Sequence, residues 1–286
     1  MITKNPMQLK AFIKKKAAEN QISAQLVMQN YMMERLLERI SLSKYQRNFI
    51  LKGGFLIAAI VGLDTRATMD LDTTIKGFPL NHDSIHSIFN EICAVAVKDD
   101  VTFTISQITD IREGDDYPGL RIHMKASYPP LNVPMKVDVT TGDKITPREI
   151  EYSFKLMFDD RSISILAYNL ETIIAEKLET VLSRNIANTR PRDFYDIHIL
   201  YILRGDDCNN VVLRQALEAT TRKRGSSSIL PQYRETIENI RTNPQMRRFW
   251  EEYRSEFEYV KDIEFNDACA TVLRVMGSVM EGIESN

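Results

Sequence analysis

Residues 68–75 read Thr68-Met69-Asp70-Leu71-Asp72-Thr73-Thr74-Ile75, a short β-type run that carries two aspartates. Successive side chains of a strand point to opposite faces, so Asp70 and Asp72 project together, with Met69 and Leu71 on the other side. Like charges side by side are unfavourable, and aspartate is depleted in strand interiors. A cation offsets that cost. Mg²⁺ suits the place, because it takes oxygen ligands from one or two carboxylates and completes its shell with phosphate oxygens. So short a motif leaves a second reading open, an exposed strand end with two solvated aspartates.

Outward from this run, residues 47–166 carry further β-type segments at Phe49-Ile50-Leu51, Val101 to Ile108, Leu120 to Ala126, Met135 to Thr140 and Ile163 to Ile165. Gly114-Asp115-Asp116, Tyr117-Pro118-Gly119 and Pro129-Pro130 are turn signals between them. Phe55 to Val61 and His82 to Val97 read as interrupting helices. Ahead of this region, residues 8–41 are predicted helical, since Val27 and Met28 lead to Tyr31 and Met32, then to Leu36 and Ile40, in steps of four. Beyond about residue 170 strands vanish, and helices run on with breaks near Arg224-Gly225-Ser226-Ser227-Ser228 and Asn243-Pro244. The pattern predicts an α/β module over 1–168, led by the helix at 8–41, and an α-helical module over 169–286.

Two more stretches bear on the aspartates. In Met135-Lys136-Val137-Asp138-Val139-Thr140 the apolar residues alternate with Lys136, Asp138 and Thr140, so Asp138 offers a third carboxylate, as a metal ligand or as a proton acceptor. A solvated Lys–Asp strand face is the alternative. Lys52-Gly53-Gly54-Phe55-Leu56-Ile57 follows an apolar run and opens a helical pattern. Paired glycines there permit close approach of a ligand, and a helix N-terminus favours phosphate, although a simple tight turn accounts for them equally well.

In the helical half, Leu170, Ile173 and Val181 share one face at about 100° per residue, with Lys177 in the middle of it. Such a lysine either snorkels to solvent or meets an anion, for which a triphosphate is a candidate. Glu176 and Glu179 fall on the other side, where solvation is the default. Thr189-Arg190-Pro191-Arg192-Asp193-Phe194-Tyr195-Asp196 then opens a helix that reads as apolar almost all round, with Pro191 in its first turn and Asp193 and Asp196 on one face. Service of the helix dipole alone is the alternative for Asp193.

Bulk properties narrow the class. The 286 residues suffice for a substantial core, and the 43% apolar and 27% charged content is that of a soluble globular chain. A net charge of −2 argues against nucleic-acid binding by gross electrostatics and leaves room for a local basic face. Cys93, Cys208 and Cys269 are scattered, without metal-ligand spacing, and are expected as buried reduced thiols. Neither a secretory signal nor an apolar membrane span is legible, so a cytoplasmic protein is expected.

Taken in order, Gly53-Gly54, Asp70-x-Asp72 and Asp138 resemble the nucleotidyltransferase superfamily associated with polymerase β, whose pattern is a small-residue turn, a downstream D-x-D and a third acidic residue on a later strand. Ile174-Ala175-Glu176-Lys177, followed by Arg190-x-Arg192-Asp193-x-Tyr195-Asp196, is similar to the AbiEii/AbiGii toxins. These are nucleotidyltransferase-like toxins of toxin–antitoxin and abortive phage-infection systems, and they include MenT-like toxins. The resemblance runs from about residue 50 to 200.

It implies an α+β fold, a polymerase β-like mixed sheet with flanking helices, followed by an α-helical C-terminal module that contributes to the active site. By the same resemblance, Asp70, Asp72 and Asp138 bind metal, and with Lys177 and Asp193 they are catalytic, Asp196 competing with Asp193 for the last role. Gly53, Gly54, Lys136 and Lys177 bind the nucleotide; Gly54 stands where many relatives have serine, so a backbone N–H would replace the hydroxyl contact. The implied cofactor is Mg²⁺ or Mn²⁺, the nucleotide donor GTP or CTP, and the acceptor the 3′ end of tRNA, whose modification blocks translation. A cognate antitoxin, often of winged-helix type and encoded nearby, is the implied partner. Arg184, Arg190 and Arg192 are candidate RNA contacts, with Arg222-Lys223-Arg224 and Arg247-Arg248 as an extension; a solvated role stays open for each. Two other functions remain compatible: transfer to a protein or a small molecule such as an aminoglycoside, and a catalytically inactive module that binds RNA or a partner.

Overall fold

The computed structural model describes residues 6–111 and 119–280. The turn signals at Gly114-Asp115-Asp116 and Tyr117-Pro118 lie outside the described residues. The chain divides into two compact units, 1–143 with 150–167, and 144–149 with 168–286.

The first unit holds one seven-stranded mixed sheet. Its strands are β1 (Phe49–Lys52), β2 (Asp70–Ile75), β3 (Thr102–Ile111), β4 (Gly119–Tyr128), β5 (Leu131–Thr141), β6 (Ile150–Lys155) and β7 (Ser162–Ala167), in the spatial order β3-β4-β5-β2-β1-β7-β6. β2 runs parallel to β5 and β1 parallel to β7, while the other neighbours are antiparallel. The D-x-D strand therefore lies at the middle of the sheet. β6 is the one strand of the sheet that the sequence reading lacked. It is an edge strand with only Phe154 buried, and Glu151, Ser153 and Lys155 alternate along its exposed face. Met69 lies outside β2 and is exposed, against its expected place on the apolar face beside Leu71.

Alternation in β4 and β5 sends Leu120, Ile122, Met124, Met135, Val137 and Val139 into the core. α2 (Ala24–Leu42) and α4 (His82–Cys93) cover that side; His82 at the start of α4 reaches Asp110 of β3 at 3.2 Å. The single helix expected at 8–41 is two, α1 (Pro6–Glu19) and α2. Gln21 takes φ 53°, and the Ser23 hydroxyl caps α2 by accepting from Leu26 N–H at 3.2 Å, a polar break that the apolar spacing conceals.

α2 also buries charge. Arg35 donates to Glu34 (2.6 Å) and Glu38 (2.5 Å), and Arg39 grips Asp99 with two bonds of 2.8 Å. Glu34 accepts as well from Met157 N–H at 2.6 Å. Burial dominates its titration and pushes its carboxyl up to about 7, against the pull of Arg35 and Met157 N–H. A raised folded-state value favours the protonated form, so this contribution to stability is full below the unfolded value and is lost as pH rises through about 7. We expect Glu34→Gln to be worth progressively more, relative to wild type, between pH 5 and pH 8. Melting temperatures of both proteins across that range test this, and a constant difference would refute the assignment.

The second unit is helical: α5 (Leu170–Arg184), α6 (Pro191–Arg204), α7 (Asn210–Lys223), α8 (Tyr233–Thr242), α9 (Pro244–Glu256) and α10 (Phe265–Met280), with short 3-10 turns between. The stretch 144–149 joins it through Asn169, which caps α5 by accepting from Thr172 N–H (2.8 Å) and donates to the carbonyls of Thr146 (2.7 Å) and Arg148 (3.0 Å). Trp250 is fully buried against Phe265, which also meets Phe194. Its ring centroid lies 5.6 Å from that of Phe265, and its Nε1 donates to Ile263 O at 3.0 Å. α6 is not apolar all round in its setting: Phe194, Tyr195, Ile197 and Leu200 are buried, whereas Ile202 and Leu203 face solvent. Cys269 is buried and Cys93 and Cys208 are half-buried; burial raises their thiols to about 12, 11 and 11, so they stay protonated. Among the described residues no helix is long and apolar enough to cross a membrane.

Candidate active site

In the first unit the register lines up four charged residues across four strands. Lys52 of β1 pairs with Asp72 of β2, Asp72 with Asp138 of β5, and Asp138 with Arg121 of β4. One step along, Asp70 pairs with Lys136, and Lys136 with His123. Partners in register share a face, so Asp70, Asp72 and Asp138 lie on one side of the sheet with adjacent strands about 4.8 Å apart. Asp70 and Asp72 are half-buried and Lys136 is exposed.

Asp72 rests against the start of α3 (Gly53–Val61). A Cβ on Gly53 would stand 2.2 Å from Asp72 Oδ2, and Gly53 has φ +67°. The glycine is thus required by the carboxylate of the chain itself, and the helix N-terminus faces that negative charge, which it favours. Gly54 is crowded in the same way by Thr68 Oγ1, 2.9 Å from a Cβ position. We expect Gly53→Ala to lower stability by about 1–2 kcal/mol from the left-handed backbone alone and to displace Asp72. Calorimetric titration with Mn²⁺ should then show weakened binding; unchanged affinity would remove Asp72 from the ligand set.

Arg121 is the residue that the sequence reading missed. Its Nε and Nη2 donate to the two carboxylate oxygens of Asp138, each at 2.8 Å. The Asp138 bond, with the charges of Asp138, Asp70 and Asp72, holds the Arg121 guanidinium above its ordinary range despite partial desolvation. Arg121 therefore pairs with Asp138 and lies within the field of Asp70 and Asp72. Its signal was the alternation Leu120-Arg121-Ile122-His123-Met124-Lys125, which places Arg121 on the polar face; the partner across the sheet was not legible. Lys52 is buried, donates to Thr140 Oγ1 at 2.7 Å and pairs with Asp143, tying β1 to the end of β5.

Among the described residues no cluster of three or more His, Cys, Asp and Glu side chains is arranged to hold a metal ion. Both oxygens of Asp138 accept from Arg121, so Asp70 and Asp72 are the carboxylates better placed to donate to a metal ion. Two hard oxygen donors suit Mg²⁺ or Mn²⁺ completed by water and phosphate, and do not suit the metals that prefer thiolate or imidazole. The residues present fit such an ion at Asp70 and Asp72.

In the second unit, Lys177 of α5 donates to Asp193 Oδ1 at 2.6 Å and pairs with Asp196 Oδ2 at 2.9 Å. Both aspartates are buried in α6, so the anion set into the apolar stripe is the chain's own, and the two candidates for the late acidic role share the lysine. Burial works to lower the Lys177 ammonium, but the two carboxylates outweigh it and hold it above its usual value. Asp193 Oδ2 is buried without a hydrogen-bond partner. Glu179, expected in solvent, is buried and pairs with Arg224, which also reaches Glu176 at 3.4 Å. Arg224 is thereby committed inside the unit and is no part of a free basic face. Arg184, Arg190 and Arg192 are exposed, Arg247 bonds Asn266 at 3.1 Å, and Arg248 pairs with Glu252 at 3.2 Å.

Comparison with known proteins agrees with this fold. The chain is similar to a Helicobacter pylori protein of known crystal structure described as a candidate nucleotidyltransferase, at 13% identity and a TM-score of 0.50 over 93% of this chain and 100% of that one. It also aligns with JHP933 of Helicobacter pylori, at 12% identity and a TM-score of 0.49 over 92% of this chain and 97% of that one. No curated protein sequence matches the chain. The model of the nucleotidyl transferase AbiEii toxin, of a type IV toxin–antitoxin system, matches residues 35–271, the greater part of the chain. The chain belongs to the AbiEii nucleotidyltransferase toxin family.

Proposed function

We propose that the chain is the toxin of a toxin–antitoxin or abortive phage-infection pair, and that it transfers a nucleotidyl group from GTP or CTP to RNA, at the 3′ acceptor end of a tRNA. The observation that carries this reading is the in-register placement of Asp72 beside Asp138, with Asp70 on the same face and Gly53 closed against Asp72. Asp70 and Asp72 hold Mg²⁺ or Mn²⁺, which when bound supplies positive charge to the phosphates. In the transfer, the acceptor 3′-oxygen bonds to the α-phosphorus, the bond from that phosphorus to the α–β bridging oxygen breaks, and pyrophosphate leaves with the electron pair. The acceptor proton passes to a carboxylate or to solvent. Arg121 orients Asp138 and spreads positive charge over the three carboxylates, while Lys136, beside Asp70, is placed to meet a phosphate. The family implies an antitoxin partner, which we propose to be a winged-helix protein encoded nearby, with both acting in the cytoplasm.

The test is incubation of the purified chain with each labelled NTP, Mg²⁺ and total cellular RNA. Label at the 3′ end of tRNA is the expected result. Label confined to protein or to small molecules would overturn the acceptor assignment, and no transfer to any acceptor would overturn the activity.

A further inference from the structure

The sheet face that carries the three carboxylates continues past them onto β4 and β3, and there it changes sign. Along β4, Arg121, His123 and Lys125 occur at every second residue, so they share one face over about 13 Å of strand. Register adds Lys136 of β5 beside His123, and Thr104, Gln107 and Thr109 of β3 opposite Lys125, His123 and Arg121. A bulge after Ile105 makes this possible. Strict alternation would put Gln107 with the apolar residues; the irregularity takes up Ser106, whose hydroxyl donates to His123 O at 3.0 Å, and Thr104 and Gln107 both reach the polar face. Lys125, Lys136, Thr104 and Gln107 are exposed, and α2 and α4 lie on the opposite, apolar side. Among the described residues of β3, β4 and β5, Asp138 is the one acidic side chain on this face.

We infer that this face is the track for the sugar–phosphate backbone of an RNA strand whose 3′ end reaches Asp70 and Asp72. The inference rests on the acceptor reading above and deepens it. Charge complementarity selects the occupant. The exposed ammonium groups of Lys125 and Lys136, with His123 between them and uncharged hydroxyl and amide groups alongside, match phosphate and ribose, and among the described residues of β3, β4 and β5 the face lacks the aromatic anchors around which protein partners are bound. The row begins one strand away from Asp138, so a strand lying along it delivers its end to the carboxylates. A net charge of −2 does not oppose this, because Arg121, Lys125 and Lys136 stand together on one face.

The test uses the full chain and its Lys125→Glu/His123→Ala double variant, with Lys125→Arg as the conservative control. Neither Lys125 nor His123 has a part in the nucleotide or metal site. Affinity for fluorescein-labelled tRNA is measured between 50 and 200 mM salt, alongside binding of a fluorescent NTP and the tRNA KM of transfer. The double variant should lose tRNA affinity at least about 10-fold, with a salt slope smaller by roughly 0.7–0.9 per lost phosphate contact, while NTP binding is unchanged and Lys125→Arg behaves as wild type. Wild-type transfer to RNA with equal tRNA affinity in the double variant would overturn the track and leave the acceptor reading standing. A wild-type chain that binds tRNA through these residues but labels protein would uphold the track and overturn the acceptor reading. A wild-type chain that binds no tRNA overturns both.

Discussion

Asp72→Ala is expected to reduce transfer of labelled nucleotide to tRNA by at least about 100-fold, the scale on which one charge-stabilising group acts in a transition state. The same substitution should leave the melting temperature unchanged or raise it. In the folded chain Asp72 stands beside Asp138 on the neighbouring strand, so its removal relieves like-charge repulsion there. Loss of activity with retained stability is the signature of a residue kept for chemistry at the expense of the fold. Growth inhibition in cells expressing the variant should fall in parallel with the transfer assay. Inhibition that persists after transfer is lost would mean that the toxin acts without catalysis, as a binding module. A lowered melting temperature would instead make Asp72 a structural residue.

Lys177→Ala is expected to destabilise the second unit by about 3–5 kcal/mol, the cost of leaving buried charge without its partner. Asp193 and Asp196 both pair with this ammonium, and Asp193 Oδ2 has no hydrogen-bond partner to fall back on. In the wild type the Lys177 value is raised, so its stabilisation is lost only as pH climbs above the ordinary lysine range. The alanine variant behaves differently, since its stranded carboxylates regain stability by protonation as pH falls. Melting curves at pH 7.5 and pH 5, for Lys177→Ala and for Lys177→Ala combined with Asp193→Asn and Asp196→Asn, test this. The loss should shrink at the lower pH and in the triple variant. A single variant that melts like wild type would show that the lysine carries no structural charge. Inactivity of Lys177→Ala therefore identifies a phosphate contact only where the protein is shown to stay folded.

Much of this arrangement was legible locally. The side-chain period of a strand places Asp70 with Asp72 and Arg121 with His123 and Lys125 whatever the tertiary structure. Helical spacing likewise put Lys177 inside an apolar stripe, and the two glycines marked the start of α3. These features depend on backbone geometry over a few residues, and sequence determines that directly. The partners did not follow. Arg121 meets Asp138 across 17 residues of chain, and Lys177 meets Asp193 across 16. Which side chains face one another there depends on strand register and helix docking, and those depend on the packing of the whole unit. α2 shows the limit most clearly. Its apolar spacing predicted one buried stripe, yet Glu34, Arg35, Glu38 and Arg39 are buried as well, held by Asp99, Arg161 and Met157 N–H from distant segments. A charge is buried only where its partner arrives, so sequence by itself determined which faces carry charge, and tertiary structure alone decided which charges answer one another.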